Sequence, residues 1–162
     1  MLSQLYERYS REIYLYLFSM CRSREAAEDL TQECFVRALL ALPEEHGNMR
    51  AWLFRVARNL LFDQARRGRR EVPLEDWEDA QDPREDPLAA FLRDEERRRL
   101  LRQISSMDRR KREVLILQYY SGLRQKEIAA LLGLTEENVR VLSLRARREL
   151  KKKLEEEEHE LP

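Results

Sequence analysis

Apolar residues along this chain recur at intervals of three and four, the spacing that puts them on one face of an α-helix. Leu2, Leu5, Tyr6, Tyr9, Ile13, Tyr16 and Leu17 predict a first amphipathic helix running towards Met20. A second is expected from near Arg24 to about Leu42, with Ala27, Leu30, Cys34, Val36, Ala38 and Leu39 available for packing. Pro43, Gly47 and Asn48 mark a loop. A third helix begins near Met49 or Arg50 and carries Trp52, Leu53, Val56, Ala57, Leu60 and Leu61 to about Arg67, with Gly68 suited to its C-terminus. No strand-like alternation persists beyond a few positions, and the chain has only four glycines and five prolines. The fold is therefore expected to be all-α.

Between Glu71 and about Pro87 the periodicity stops. That stretch holds prolines and acids with little to bury apart from Val72, Leu74 and Trp77, and it reads as a flexible acidic linker. Helical spacing resumes at Leu88, Phe91 and Leu92 and continues through Leu100, Leu101 and Ile104. Asp108 is a good N-cap for a helix that turns Val114, Leu115, Leu117 and Tyr119 or Tyr120 to a core and ends at Ser121-Gly122. Then come Ile128, Ala129 and Leu132 at packing spacing, Gly133 for a tight turn, Leu134 as a plug, and Thr135 capping a helix through Leu150. This is a helix-turn-helix pattern, in which Gly133 tolerates a positive φ and Glu136 and Glu137 suit the positive end of the second helix. The organisation is two small helical domains, residues 1–70 and 97–162, joined by a linker over 71–96.

Charge adds a second layer. The 31 basic and 31 acidic side chains cancel, but they are sorted into blocks. Arg66, Arg67, Arg69 and Arg70 precede the acidic run from Glu71 to Asp86; a basic stretch from Arg97 to Arg112 follows, and Lys151, Lys152 and Lys153 precede Glu155 to Glu158. Such blocks suit a nucleic-acid binder and equally the solvated faces of charged helices. No apolar run reaches the roughly 20 residues of a membrane span and the start does not read as a signal peptide, so a cytoplasmic protein without direct membrane insertion is expected. Cys21 and Cys34 lack metal-ligand spacing and read as buried or half-buried thiols. No catalytic set assembles around His46 and His159, the only histidines. Neither an enzyme nor a metal or other cofactor is expected.

Three segments, AEDLTQECFVRAL, WLFRVARNLLFDQARRGRR and QKEIAALLGLTEENVRVLSLRARREL, stand in an order and spacing that resembles the extracytoplasmic-function (group IV) class of bacterial sigma-70 factors. The first two resemble its domain 2 and the last its domain-4 helix-turn-helix. The resemblance implies a subunit that binds core RNA polymerase and directs promoter recognition, melting of the −10 element and initiation. It also implies docking of Asp29, Gln32 and Glu33 on the β′ clamp helices and contact of domain 4 with the β flap; Phe35 and Leu39 in the same motif read as packing residues. By the same resemblance Asn59 and Asp63 meet the −10 element, Arg66, Arg67, Arg69 and Arg70 hold its backbone, and the loop around His46 and Asn48 captures a flipped base. Family members are commonly held inactive by an anti-sigma factor, which could retain such a protein at the inner face of the membrane.

On the second helix of the helix-turn-helix, Asn138, Arg140, Val141, Leu144, Arg145, Arg147 and Arg148 are candidates for the outer surface, and with Thr135 they form the expected −35 reader. Here the chain departs from the family pattern. Leu142 stands where a contact arginine is common, and Ser143 where a buried leucine or isoleucine is common, which blurs the apolar stripe. Two other readings stay open at this point: a helix-turn-helix regulator that binds an operator without joining polymerase, and a sigma-like decoy that binds polymerase or an anti-sigma factor without initiating.

Overall fold

The structure is a computed structural model and describes residues 2–41, 48–67 and 94–160. Its elements are helices: α1 (Leu2–Cys21), α2 (Arg24–Ala41), α3 (Met49–Arg66), α4 (Glu95–Ser105), α5 (Arg109–Tyr120), α6 (Gln125–Leu132) and α7 (Glu136–Glu160). No strand occurs among the described residues. The chain divides into two units, Met1–Trp77 and Glu78–Pro162.

In the first unit α1, α2 and α3 each pack on the other two. On α1 every residue from Ile13 to Met20 is buried. The Tyr16 ring stands edge-on to Phe54 at 5.4 Å and Tyr6 edge-on to Phe35 at 5.0 Å. Two hydroxyls that enter this core are satisfied locally: Ser19 donates to the Leu15 carbonyl at 2.7 Å and Thr31 to that of Ala27 at 2.6 Å. The chain turns sharply between α1 and α2 because Arg22 adopts φ 55°, and the Ser23 hydroxyl then caps α2 by accepting the Ala26 N–H at 3.2 Å. Asn48 caps α3, its Oδ1 accepting the Ala51 N–H at 3.1 Å. An Arg50–Glu12 ion pair ties α3 to α1, and burial pushes the Glu12 carboxyl up from its ordinary range although Arg50 opposes the shift.

Two expectations fail on α2. Val36 and Leu39, assigned to packing, are 53% and 58% exposed, and Leu40 is 79% exposed. The buried stripe runs through Ala27, Leu30, Thr31, Cys34, Phe35 and Ala38, and only that face meets α1 and α3. Cys34 is a buried free thiol and Cys21 a half-buried one, as expected.

In the second unit α7 packs against α4, α5 and α6. Asp94 caps α4 by accepting the Glu96 N–H at 2.9 Å, and Asp108 caps α5 by accepting that of Lys111 at 3.1 Å. Helix α4 therefore starts inside the segment read as linker, while residues 68–93, with Gly68, Leu88, Phe91 and most of that linker, lie outside the described residues. The core joins Leu101, Ile104, Val114, Leu115, Leu117 and Ile128 to Val139, Ala146 and Leu150 of α7. The buried Arg112 guanidinium donates to the Ser105 carbonyl at 3.3 Å. Tyr120 is half-buried whereas Tyr119 is exposed.

The largest departure is the length of α7, which continues to Glu160 instead of ending near Leu150. Its last turns are held by α4. Arg99 and Arg102 form ion pairs with Glu157 at 3.4 and 3.6 Å, the Gln103 amide donates to Glu157 at 2.8 Å, and Arg99 donates to the Leu154 carbonyl at 3.3 Å.

Candidate nucleic-acid interface

Each unit presents a helix with an apolar inner face and a polar outer one. On α3 the inner residues Leu53, Phe54, Ala57, Leu60 and Leu61 are buried. At 100° per residue, Trp52, Arg55, Asn59, Phe62 and Arg66 share the opposite stripe, continuous with Asn48 at the cap. Asn48, Arg55, Asn59 and Arg66 are exposed and the two aromatics half-exposed. Arg58 lies over the Phe62 ring at 4.3 Å, and Arg66 pairs with Asp63 at 3.5 Å. Cations and π-faces thus alternate along one face, the arrangement that suits unstacked bases beside phosphates. Arg55 was missed by the sequence reading; its place in the Asn48-to-Arg66 periodicity is the signal that finds it. His46, Arg69 and Arg70 lie outside the described residues.

The outer face of α2 carries Asp29, Gln32 and Glu33, all exposed. Val36 and Leu40 continue the same stripe. Glu33 pairs with Arg37 at 3.1 Å. A groove of about 250 Å³ between α2 and α3 is lined by Asp29, Glu33 and Arg37 on one side and Asp63 and Arg67 on the other, so residues expected to serve two partners share one depression.

In the second unit the tight turn is built as its sequence implies. Gly133 has φ 69°, and the Leu134 N–H reaches back to the Ala129 carbonyl at 2.9 Å. The Thr135 hydroxyl accepts the Asn138 N–H at 3.0 Å and starts α7. The buried stripe of α7 is Val139, Ser143, Ala146 and Leu150. Ser143 thus occupies a core position, where its hydroxyl donates to the Gln118 side-chain oxygen of α5. The hydroxyl at this core position is satisfied by a partner inside the bundle. Thr135, Asn138, Arg140, Val141, Leu144, Arg145, Arg147 and Arg148 are all exposed, and Leu142 is half-buried. Arg140 is drawn to Glu137 at 3.2 Å.

Residues 5–71 match Sigma-70 region 2 and residues 97–150 match Sigma-70, region 4. Over 160 residues the chain is 31% identical to the ECF RNA polymerase sigma factor SigM of Bacillus subtilis, covering 93% of each protein. The chain belongs to the sigma-70 family, in its extracytoplasmic-function class. The RNA polymerase sigma factor YlaC of the same bacterium is 32% identical over 161 residues, 94% of this chain and 91% of that one. Among solved structures, CnrH in complex with the cytosolic domain of CnrY is 29% identical, with a TM-score of 0.69 over 95% of this chain and 87% of that one.

The sigma factor joins core RNA polymerase and directs it to promoters for initiation; it is an initiation factor. Its region 2 comprises α1 to α3, and its region 4 the helix-turn-helix bundle. The stretch of α7 after Leu150 lies beyond the region 4 match. No helix among the described residues is long and apolar enough to cross a membrane.

Proposed function

We propose that the sigma factor docks α2 on the clamp helices of the polymerase β′ subunit through Asp29, Gln32 and Glu33, with Val36 and Leu40 supplying the apolar part of the contact. The observation that carries this reading is the exposed stripe itself. A helix that already buries a complete inner face has no packing use for Val36, Leu39 and Leu40 on its outside, and side chains of this kind beside a polar edge mark a protein contact.

The outer stripe of α3 then serves the −10 element. Asn59 and Asp63 face bases, Arg66, Arg67, Arg69 and Arg70 hold phosphates, and the cap residue Asn48 with the neighbouring His46 lies where a flipped base would be received. Thr135 and the outer face of α7 from Asn138 to Arg148 serve the −35 element, while the region 4 unit meets the β flap. Residues 1–70 and 97–162 act as two weak readers, and the segment over 71–96 tethers them so that polymerase sets their separation. The protein works in the cytoplasm and catalyses nothing itself. An anti-sigma factor controls it by covering these faces; that CnrH forms a complex with the cytosolic domain of CnrY supports a protein partner for a chain of this fold.

The test is promoter-specific transcription by bacterial core polymerase on a library of random upstream sequences. Initiation should depend on the protein and fall at least tenfold for Gln32→Ala/Glu33→Ala and for Val36→Glu/Leu40→Glu, in parallel with core binding. Core binding that survives both double variants would sink the α2 assignment. Core binding by the wild type without initiation would favour the decoy reading.

A further inference from the structure

The outer crest of α7 is unusual for a surface meant to meet DNA. Directly opposite the buried stripe of Val139, Ser143, Ala146 and Leu150 lie Val141 and Leu144, 39% and 43% exposed, with Arg148 one turn further on. Neither apolar side chain is needed by the bundle, which closes on the other face. Neither can donate or accept a hydrogen bond, so neither can read a base edge by polar contact. They sit on the outer face of the helix between the exposed Glu137 one turn before and Arg148 one turn after, with the exposed Asn138 and Arg145 along one side and Arg140 and Arg147 along the other. A convex crest bordered by arginines complements a groove walled by phosphates, and the major groove is wide enough to admit a helix. Only one apolar group is displayed on the base edges of that groove, the C5-methyl of thymine.

We infer that Val141 and Leu144 are specificity-determining residues that recognise thymine through its C5-methyl group, so that the upstream element carries an A·T pair, thymine on either strand, where the crest of α7 meets the groove. This deepens the reading of α7 as the −35 helix and rests on it. Arginines at the flanks fix register and supply the salt-dependent part of binding, while the apolar centre discriminates. The half-buried Leu142 stays against the bundle and takes no part.

The experiment removes the methyl group and nothing else. Holoenzyme reconstituted with core polymerase is bound to the −35 duplex selected by the transcription library, with each thymine replaced in turn by deoxyuridine. At one or two positions uracil should lower affinity about fourfold, the effect of one buried methyl. Leu144→Ala or Val141→Ala should abolish the thymine-to-uracil difference at those positions, while Arg145→Ala and Arg148→Ala should weaken thymine and uracil duplexes alike. An upstream element that matters to binding but is blind to uracil at every position, or a uracil effect unchanged in both apolar variants, overturns the methyl contact alone. An upstream element that can be scrambled without loss overturns the −35 reading of α7, and the methyl contact with it.

Discussion

Helices α3 and α7 are held in place by different physics. Each presents a polar outer face on a buried inner one, but α3 is seated on large apolar side chains, Leu53, Phe54, Leu60 and Leu61, whereas α7 is seated on Val139, Ser143, Ala146 and Leu150 and is then carried on to Glu160 by ion pairs. Buried volume positions α3, so its outer stripe is as well defined as the core beneath it. Smaller residues and directional contacts position α7: Ser143 to Gln118 within the bundle, and Glu157 to Arg99, Arg102 and Gln103 at its far end. The first arrangement fails by leaving a cavity and the second by losing charge or register.

The largest break in this contrast is made at Phe54. Its ring is fully buried and packs edge-on to Tyr16, so Phe54→Ala removes both the burial and an aromatic pair. The expected loss is about 3–5 kcal/mol from the first unit, enough to unfold a marginally stable small domain. Denaturant unfolding followed by tryptophan fluorescence and by helicity should show the first unit melting early while the second keeps its transition. A single unshifted transition would mean that α3 does not depend on this core.

A smaller effect separates the far end of α7 from its body. Glu157 is partly buried among its three partners, and Glu157→Gln should cost about 1 kcal/mol. The loss should appear locally, as faster hydrogen exchange over residues 151–160 with the helix-turn-helix unchanged, and raised salt should reproduce part of it in the wild type. Equal protection in variant and wild type would show that intrinsic helix propensity alone carries α7 past Leu150.

The same contrast decides what could be read from the sequence. The starts of α2 and α3, the caps Asp108 and Thr135 and the turn at Gly133 depend on residues within one helical turn, and these local signals were legible. The burial of Val36 and Leu39 was misjudged because periodicity reports that a side chain is apolar, not whether a core or a partner covers it. The length of α7 was missed because the residues that hold Glu157 stand more than fifty positions earlier in the chain. Ser143 looked like a flaw in the apolar stripe until Gln118 supplied its partner. The outward placement of Asp29, Gln32 and Glu33 on α2 and of Arg140, Arg145, Arg147 and Arg148 on α7 agrees with the sequence pattern, while Arg55 needed the helical stripe to place it.

The smallest effect sharpens the comparison from inside the apolar core. Cys34 on α2 donates its S–H to the Leu53 carbonyl of α3 at 3.6 Å, and burial pushes its thiol up to about 12. In the unfolded chain the same thiol titrates near its ordinary value of about 8.5. The folded state therefore holds the proton over a range in which the unfolded state has released it, and stability falls as pH rises between those values. The contribution is fully present below about pH 8 and amounts to a loss of about 0.4 kcal/mol at pH 8.5. Comparing wild type with Cys34→Ala from pH 7 to 9 isolates it, because the difference in unfolding free energy should be constant up to about pH 8 and then shrink. The second unit has no cysteine and should show no matching change. A difference that stays constant through pH 9 would mean that Cys34 is no harder to ionise in the folded core than in the open chain, and that the packing of α2 on α3 is less complete than the apolar inner face of α3 requires.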